Sequence, residues 1–73
     1  MKKYIEFEAI DNDGYGFYVT LQKNDIVAYA EIQKEYFNEE TAQWKTAECT
    51  EVIVRNEGAY TANVPYDEFR RWF

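Results

Sequence analysis

Ile26-Val27-Ala28-Tyr29-Ala30-Glu31-Ile32-Gln33-Lys34-Glu35-Tyr36-Phe37 decides the fold, because it reads either as a helix or as a strand. Residues 28–34 contain good helix formers. Against a helix stand Ile26, Val27, Tyr29, Tyr36 and Phe37, which favour strands, and neither end carries a clear stop signal. Alternation puts Ile26, Ala28, Ala30 and Ile32 on one side and Val27, Tyr29, Glu31 and Gln33 on the other. The segment is expected to be a strand.

Its neighbours carry the same period of two. Across residues 4–10, Ile5, Phe7 and Ala9 point one way and Glu6 and Glu8 the other, as in a half-buried strand. Asp11-Asn12-Asp13-Gly14 tolerates a turn and positive φ. Tyr15, Phe17, Val19 and Leu21 then share a face opposite Gly16, Tyr18, Thr20 and Gln22, which completes a hairpin. Lys23-Asn24-Asp25 turns the chain into the deciding strand, and Asn38-Glu39-Glu40-Thr41-Ala42-Gln43 is the tip leading back. Residues 44–55 end in the strand-like run Glu51-Val52-Ile53-Val54. After the turn Asn56-Glu57-Gly58, residues 59–64 make a short fifth strand. The last segment changes period. Pro65 suits the first position of a helix, Asp67 and Glu68 sit near its positive end, and Arg70 and Arg71 near its negative end. Tyr66, Phe69 and Phe73 form an apolar stripe flanked by Trp72. The fold class is therefore mainly β: a small antiparallel five-stranded sheet or an SH3-like barrel, with a short C-terminal helix.

The layout of Val19-Thr20-Leu21, Asp25-Ile26, the run from Thr50 to Tyr60 and Val64 resembles that of flagellar FlbD-like proteins, which are small β proteins. The resemblance implies a compact β architecture over about two thirds of the chain and carries no functional residue across. Glu57 splits the Asn-Gly pair of that layout, and the hairpin around residues 35–44 has no counterpart in it.

With 73 residues the chain makes one domain, near the lower size at which a single core holds without staples. Hydrophobic residues reach 47% and aromatics 19%. Each buried ring removes roughly 150–250 Å² from water, so disorder is not expected despite the acidity. One cysteine, Cys49, allows no internal disulfide, and nothing suggests secretion. Met1-Lys2-Lys3 starts like a signal peptide, but alternation from Tyr4 onward replaces an apolar core segment. No apolar run approaches the roughly 18 residues of a membrane span, and a cytoplasmic location is expected.

Catalytic chemistry finds few footholds. There is no histidine, hence neither the commonest general base nor the commonest metal ligand. Asp11, Asp13 and Gly16 fit part of a calcium loop, but Tyr15 and Gln22 stand where oxygen ligands are needed, so a plain turn is expected. The pairs Glu6 with Glu8, Glu39 with Glu40 and Asp67 with Glu68 read as a solvated acidic surface rather than as an acid and a base with separated pKa values. Cys49 lacks an activating base and reads as a small core residue. Gly14 and Gly16 precede no helix and form no phosphate cradle. Lys2-Lys3 and Arg70-Arg71 meet in one small basic patch only if the termini meet. No catalytic residue, cofactor or metal is nominated, and the chain is not expected to be an enzyme.

The surface gives the stronger signal. Fourteen acidic residues against eight basic ones leave a net charge of −6, which argues against direct nucleic-acid binding and for a basic protein partner. Glu31, Glu35, Glu39 and Glu40 are expected to supply charge, with Tyr29, Tyr36 and Trp44 as anchors of an electrostatically guided interface. In size and charge the chain is similar to phage and mobile-element proteins that block host factors, such as anti-CRISPR proteins and other DNA mimics. That likeness implies an inhibitor or adaptor that occupies the basic surface of a nucleic-acid-handling protein. The alternative is a self-associating β module, a homodimer formed through a long strand or an exposed edge.

Overall fold

The computed structural model describes residues 3–73. Met1 and Lys2, and with them the reading of the N-terminal triplet and of the Lys2-Lys3 half of a basic patch, lie outside the described residues. The chain runs β1 (Tyr4–Ile10), β2 (Gly16–Gln22), a 3-10 turn (Lys23–Asp25), β3 (Ile26–Asn38), β4 (Gln43–Val54), β5 (Gly58–Ala62) and helix α1 (Tyr66–Arg70). The deciding stretch is a strand. The five strands form one open antiparallel sheet in the order β2-β1-β5-β4-β3, and no ladder joins β2 to β3 to close a barrel.

Period-two patterning dictates which face is covered. Ile5 lies opposite Leu21 and Phe7 opposite Val19, while Val52 lies opposite both Tyr60 and Tyr29. These positions share the face on which α1 lies. Phe69 of the helix is fully buried there, edge-on to Phe7 with ring centroids 5.9 Å apart. Together with Ala9, Val54 and Ala62 they form the core. Thr50, also fully buried, donates its hydroxyl to the Val64 carbonyl, so no polar group is stranded there.

Two details depart from simple alternation. A register shift between Ile26 and Ala28 turns Ile26 to the side of Val54 and Tyr29, away from Ala28, Ala30 and Ile32. One extra residue in a strand inverts the face of everything before it. Pro65 also stands just before the helix, with ψ at 147°, rather than inside it; its carbonyl accepts from the Glu68 and Phe69 N–H groups.

The sheet has a narrow waist. β1 and β5 share one ladder pair, Ala9 opposite Ala62, supported by the Asn63 N–H donating to the Glu8 carbonyl at 2.7 Å. Beyond that waist the first half of β4 pairs with β3 alone, from Cys49 opposite Ile32 to Gln43 opposite Asn38. The β3–β4 hairpin thus projects as an arm.

Candidate functional site

The arm is braced by the first hairpin. Asp11 accepts from the Asp13 and Tyr15 N–H groups through its carboxylate, at 2.9 Å each, and its carbonyl accepts from the Gly14 N–H. Asp11 therefore serves the turn itself. This local bonding holds Gly14 at φ 87°, and the Gly14 carbonyl accepts the Phe37 N–H at 2.9 Å. Tyr15 packs on Phe37 at 5.9 Å between centroids, and Phe37 meets Trp44 edge-on at 5.6 Å. The turn and the arm enclose a cleft between them.

That cleft has a volume of about 420 Å³ and is lined by Glu8, Tyr15, Tyr36, Glu39, Glu40 and Asn63, with Gly14 and Gly16 in its wall. Among its lining residues there is no Lys or Arg. Glu8 is held in place, since Asn63 Nδ2 donates to its Oε1 at 3.0 Å and the Cys49 thiol contacts Asn63 Oδ1 at 3.9 Å. Its other carboxylate oxygen lies close over Gly16, 2.7 Å from where a Cβ would stand. An oriented carboxylate, two exposed ones and two phenols suit a guanidinium or ammonium with an apolar stem. A second recess of about 410 Å³ shares Gly14 and is lined by Asn12, Gln33, Lys34, Glu35 and Trp44.

The expected site residues divide accordingly. Glu39, Glu40 and Tyr36 come together in the cleft. Glu35 and Trp44 line the second recess, and Trp44 is 58% exposed. Glu31 is exposed and lines neither recess. Tyr29 lies instead against α1, with ring centroids 5.7 Å from Tyr66, 5.2 Å from Phe69 and 5.3 Å from Phe73. Tyr29 is half-buried there, on the helix-covered face and away from both recesses.

Sequence reasoning missed Glu8, Tyr15 and Asn63. Alternation had assigned Glu8 to a solvated face, and nothing local announces that Asn63 will reach it across the waist. Cys49 is fully buried, and that burial pushes its thiol up from the ordinary 9.0 against the opposing pull of Lys34. Lys34, on the neighbouring strand β3, is the cation whose charge acts on Cys49. Among the described residues no helix is long and apolar enough to cross a membrane. No protein-family model, no curated protein and no solved structure matches the chain.

Proposed function

We propose that this protein is a non-catalytic binding module that captures a basic protein through the cleft between its first turn and its β3–β4 arm. The observation that supports the reading is the cleft's lining, in which Glu8, Glu39 and Glu40 gather beside Tyr15 and Tyr36 with no cation among them. A basic side chain entering it finds an oriented acceptor at Glu8 and aromatic walls, while the overall charge of −6 draws it in. Because the cationic surfaces that most need such a partner are those built for phosphates, the protein acts as an inhibitor or adaptor. It occupies the nucleic-acid-binding groove of its target, in the manner of a DNA mimic.

Capture of partners from a cell lysate on the immobilised protein, with and without duplex DNA as competitor, tests this. A basic, nucleic-acid-handling protein should be retained, released by DNA, and lost as salt shortens the screening length to about 10 Å near 0.1 M. Glu39→Lys with Glu40→Lys should abolish retention and leave the melting temperature unchanged, because both side chains are exposed. Retention unaffected by either DNA or the charge reversal would overturn the reading.

A further inference from the structure

β3 is an edge strand of 13 residues, against about 5–6 for an ordinary strand. All its ladder partners lie on β4. In an antiparallel pair, the N–H and C=O of alternate residues point away from the partner strand. Phe37 fixes the phase, because its N–H leaves β4 and donates to Gly14. The register is unbroken from Ala28 to Asn38. Tyr29, Glu31, Gln33 and Glu35 therefore turn both backbone groups outward, and no outer backbone partner meets them among the described residues.

We infer that this edge pairs antiparallel with the same edge of a second copy, about a two-fold axis at Ile32. Two independent features select that register. The free, regular stretch is bounded by the register shift before Ala28 and by Gly14 at Phe37, so it runs over residues 28–36, and its midpoint is Ile32. The second feature is charge. Outward groups must meet outward groups, so a two-fold axis can fall only on a residue. An axis on Glu31 or Glu35 sets a glutamate against itself, one on Gln33 sets Glu31 against Glu35, and one on Lys34 sets two ammonium groups together. An axis on Ile32 places Tyr29 opposite Glu35, Ala30 opposite Lys34, Glu31 opposite Gln33, and Ile32 opposite itself.

The charges along this edge thus disfavour the adjacent registers on Glu31 and Gln33, and the register on Ala30, which opposes no like charges, gives a ladder about half as long because of the shift before Ala28. About eight inter-chain backbone bonds form in this register. They satisfy the outward groups of both copies. The inference stands on the backbone edge and does not depend on what the cleft binds.

Sedimentation of the whole protein from a few to a few hundred micromolar, joined to residue-resolved hydrogen exchange, tests it. The mass should rise toward twice the 8.8 kDa of one chain. Over the same range the amides of Tyr29, Glu31, Gln33 and Glu35 should gain protection, while those of Ala30, Ile32 and Lys34, already bonded to β4, should not change. Gln33→Pro removes an outward N–H that β4 does not use, so it should keep the fold and weaken the dimer at least tenfold. Ile32→Lys and Ile32→Glu should each be monomeric, and mixing them should restore a mass of two chains. A single-chain mass throughout overturns the inference. So does a dimer whose four outward amides exchange as in the monomer, or one that Gln33→Pro leaves intact.

Discussion

Gly14 and Gly58 have almost the same backbone, φ 87° and φ 89°, in different surroundings. A Cβ on Gly58 would meet nothing within 4 Å, whereas one on Gly14 would stand 2.5 Å from the Trp44 ring and 3.3 Å from the Phe37 nitrogen. Alanine at either position carries the left-handed penalty of about 1–2 kcal/mol. Only at Gly14 must something else move, and the exposed Trp44 ring is what yields. Gly14→Ala should therefore shift the Trp44 indole N–H resonance strongly and Gly58→Ala should leave it in place, at similar losses in urea-measured stability. Equal spectra would mean that Trp44 does not rest on the turn. Cys49 makes a second prediction at this scale. Its thiol is raised by burial, so the neutral form is favoured in the fold. The stability this contributes is complete below the unfolded value near 9.0 and is lost as pH rises beyond it. Melting temperature should fall more steeply above pH 9.0 in the natural protein than in Cys49→Ala, and parallel curves would refute the linkage.

Among the elements, α1 is the least self-sufficient, since five residues are far too few to hold a helix in water. What holds it is Phe69, surrounded by Phe7, Tyr29, Trp72 and Phe73, together with the bond from the Lys23 ammonium to the Trp72 carbonyl. Phe69→Ala should cost about 3–5 kcal/mol, a large share of the stability of a domain this small. Asp67→Ala, on an exposed position of the same helix, should cost about 0.3–1 kcal/mol. Chemical denaturation of the two variants separates core anchorage from helix propensity, and similar losses would show that α1 is not a structural keystone. The aromatic stripe of this helix was legible in the sequence, as were all five strands, because a period of two and a change of period are local signals. The bulge at Ile26 was not, because alternation cannot show a slipped register. That slip brings Ile26 to the covered face beside Tyr29, and both pack half-buried against the core, while Ala28, Ala30 and Ile32 face the other way. Half of the cleft was legible as well. Tyr36, Glu39 and Glu40 sit together at the arm's end, whereas Glu8, Tyr15 and Asn63 join them only through contacts between the turn and the arm.

At the scale of the whole molecule, the arm extends beyond the core and meets the rest of the chain chiefly at the first turn. The surface measures 5327 Å², against about 4,800 Å² for a compact monomer of this mass. The molecule is 38 Å long and 18 Å at its thinnest. Both figures express an arm that extends beyond the core, and none of residues 35–46 is buried. The arm's exposed Trp44 and its glutamates support no part of the core, which leaves them free for the partner contact proposed above. Lys34 and Ala47 face each other as a ladder pair, and Lys34 by its parity turns its backbone toward β4, which is the geometry a two-residue turn requires. Replacing residues 35–46 by Asn-Gly should therefore leave a cooperatively folded body, destabilised by no more than about 2 kcal/mol, with a urea m-value reduced in proportion to the surface removed. The shortened protein should lose capture of the basic partner, since the arm's side of the cleft goes with the deleted residues. A body that unfolds on this change would show the arm to be part of the core's support. A body that folds and still captures the partner would move the binding site away from the cleft altogether.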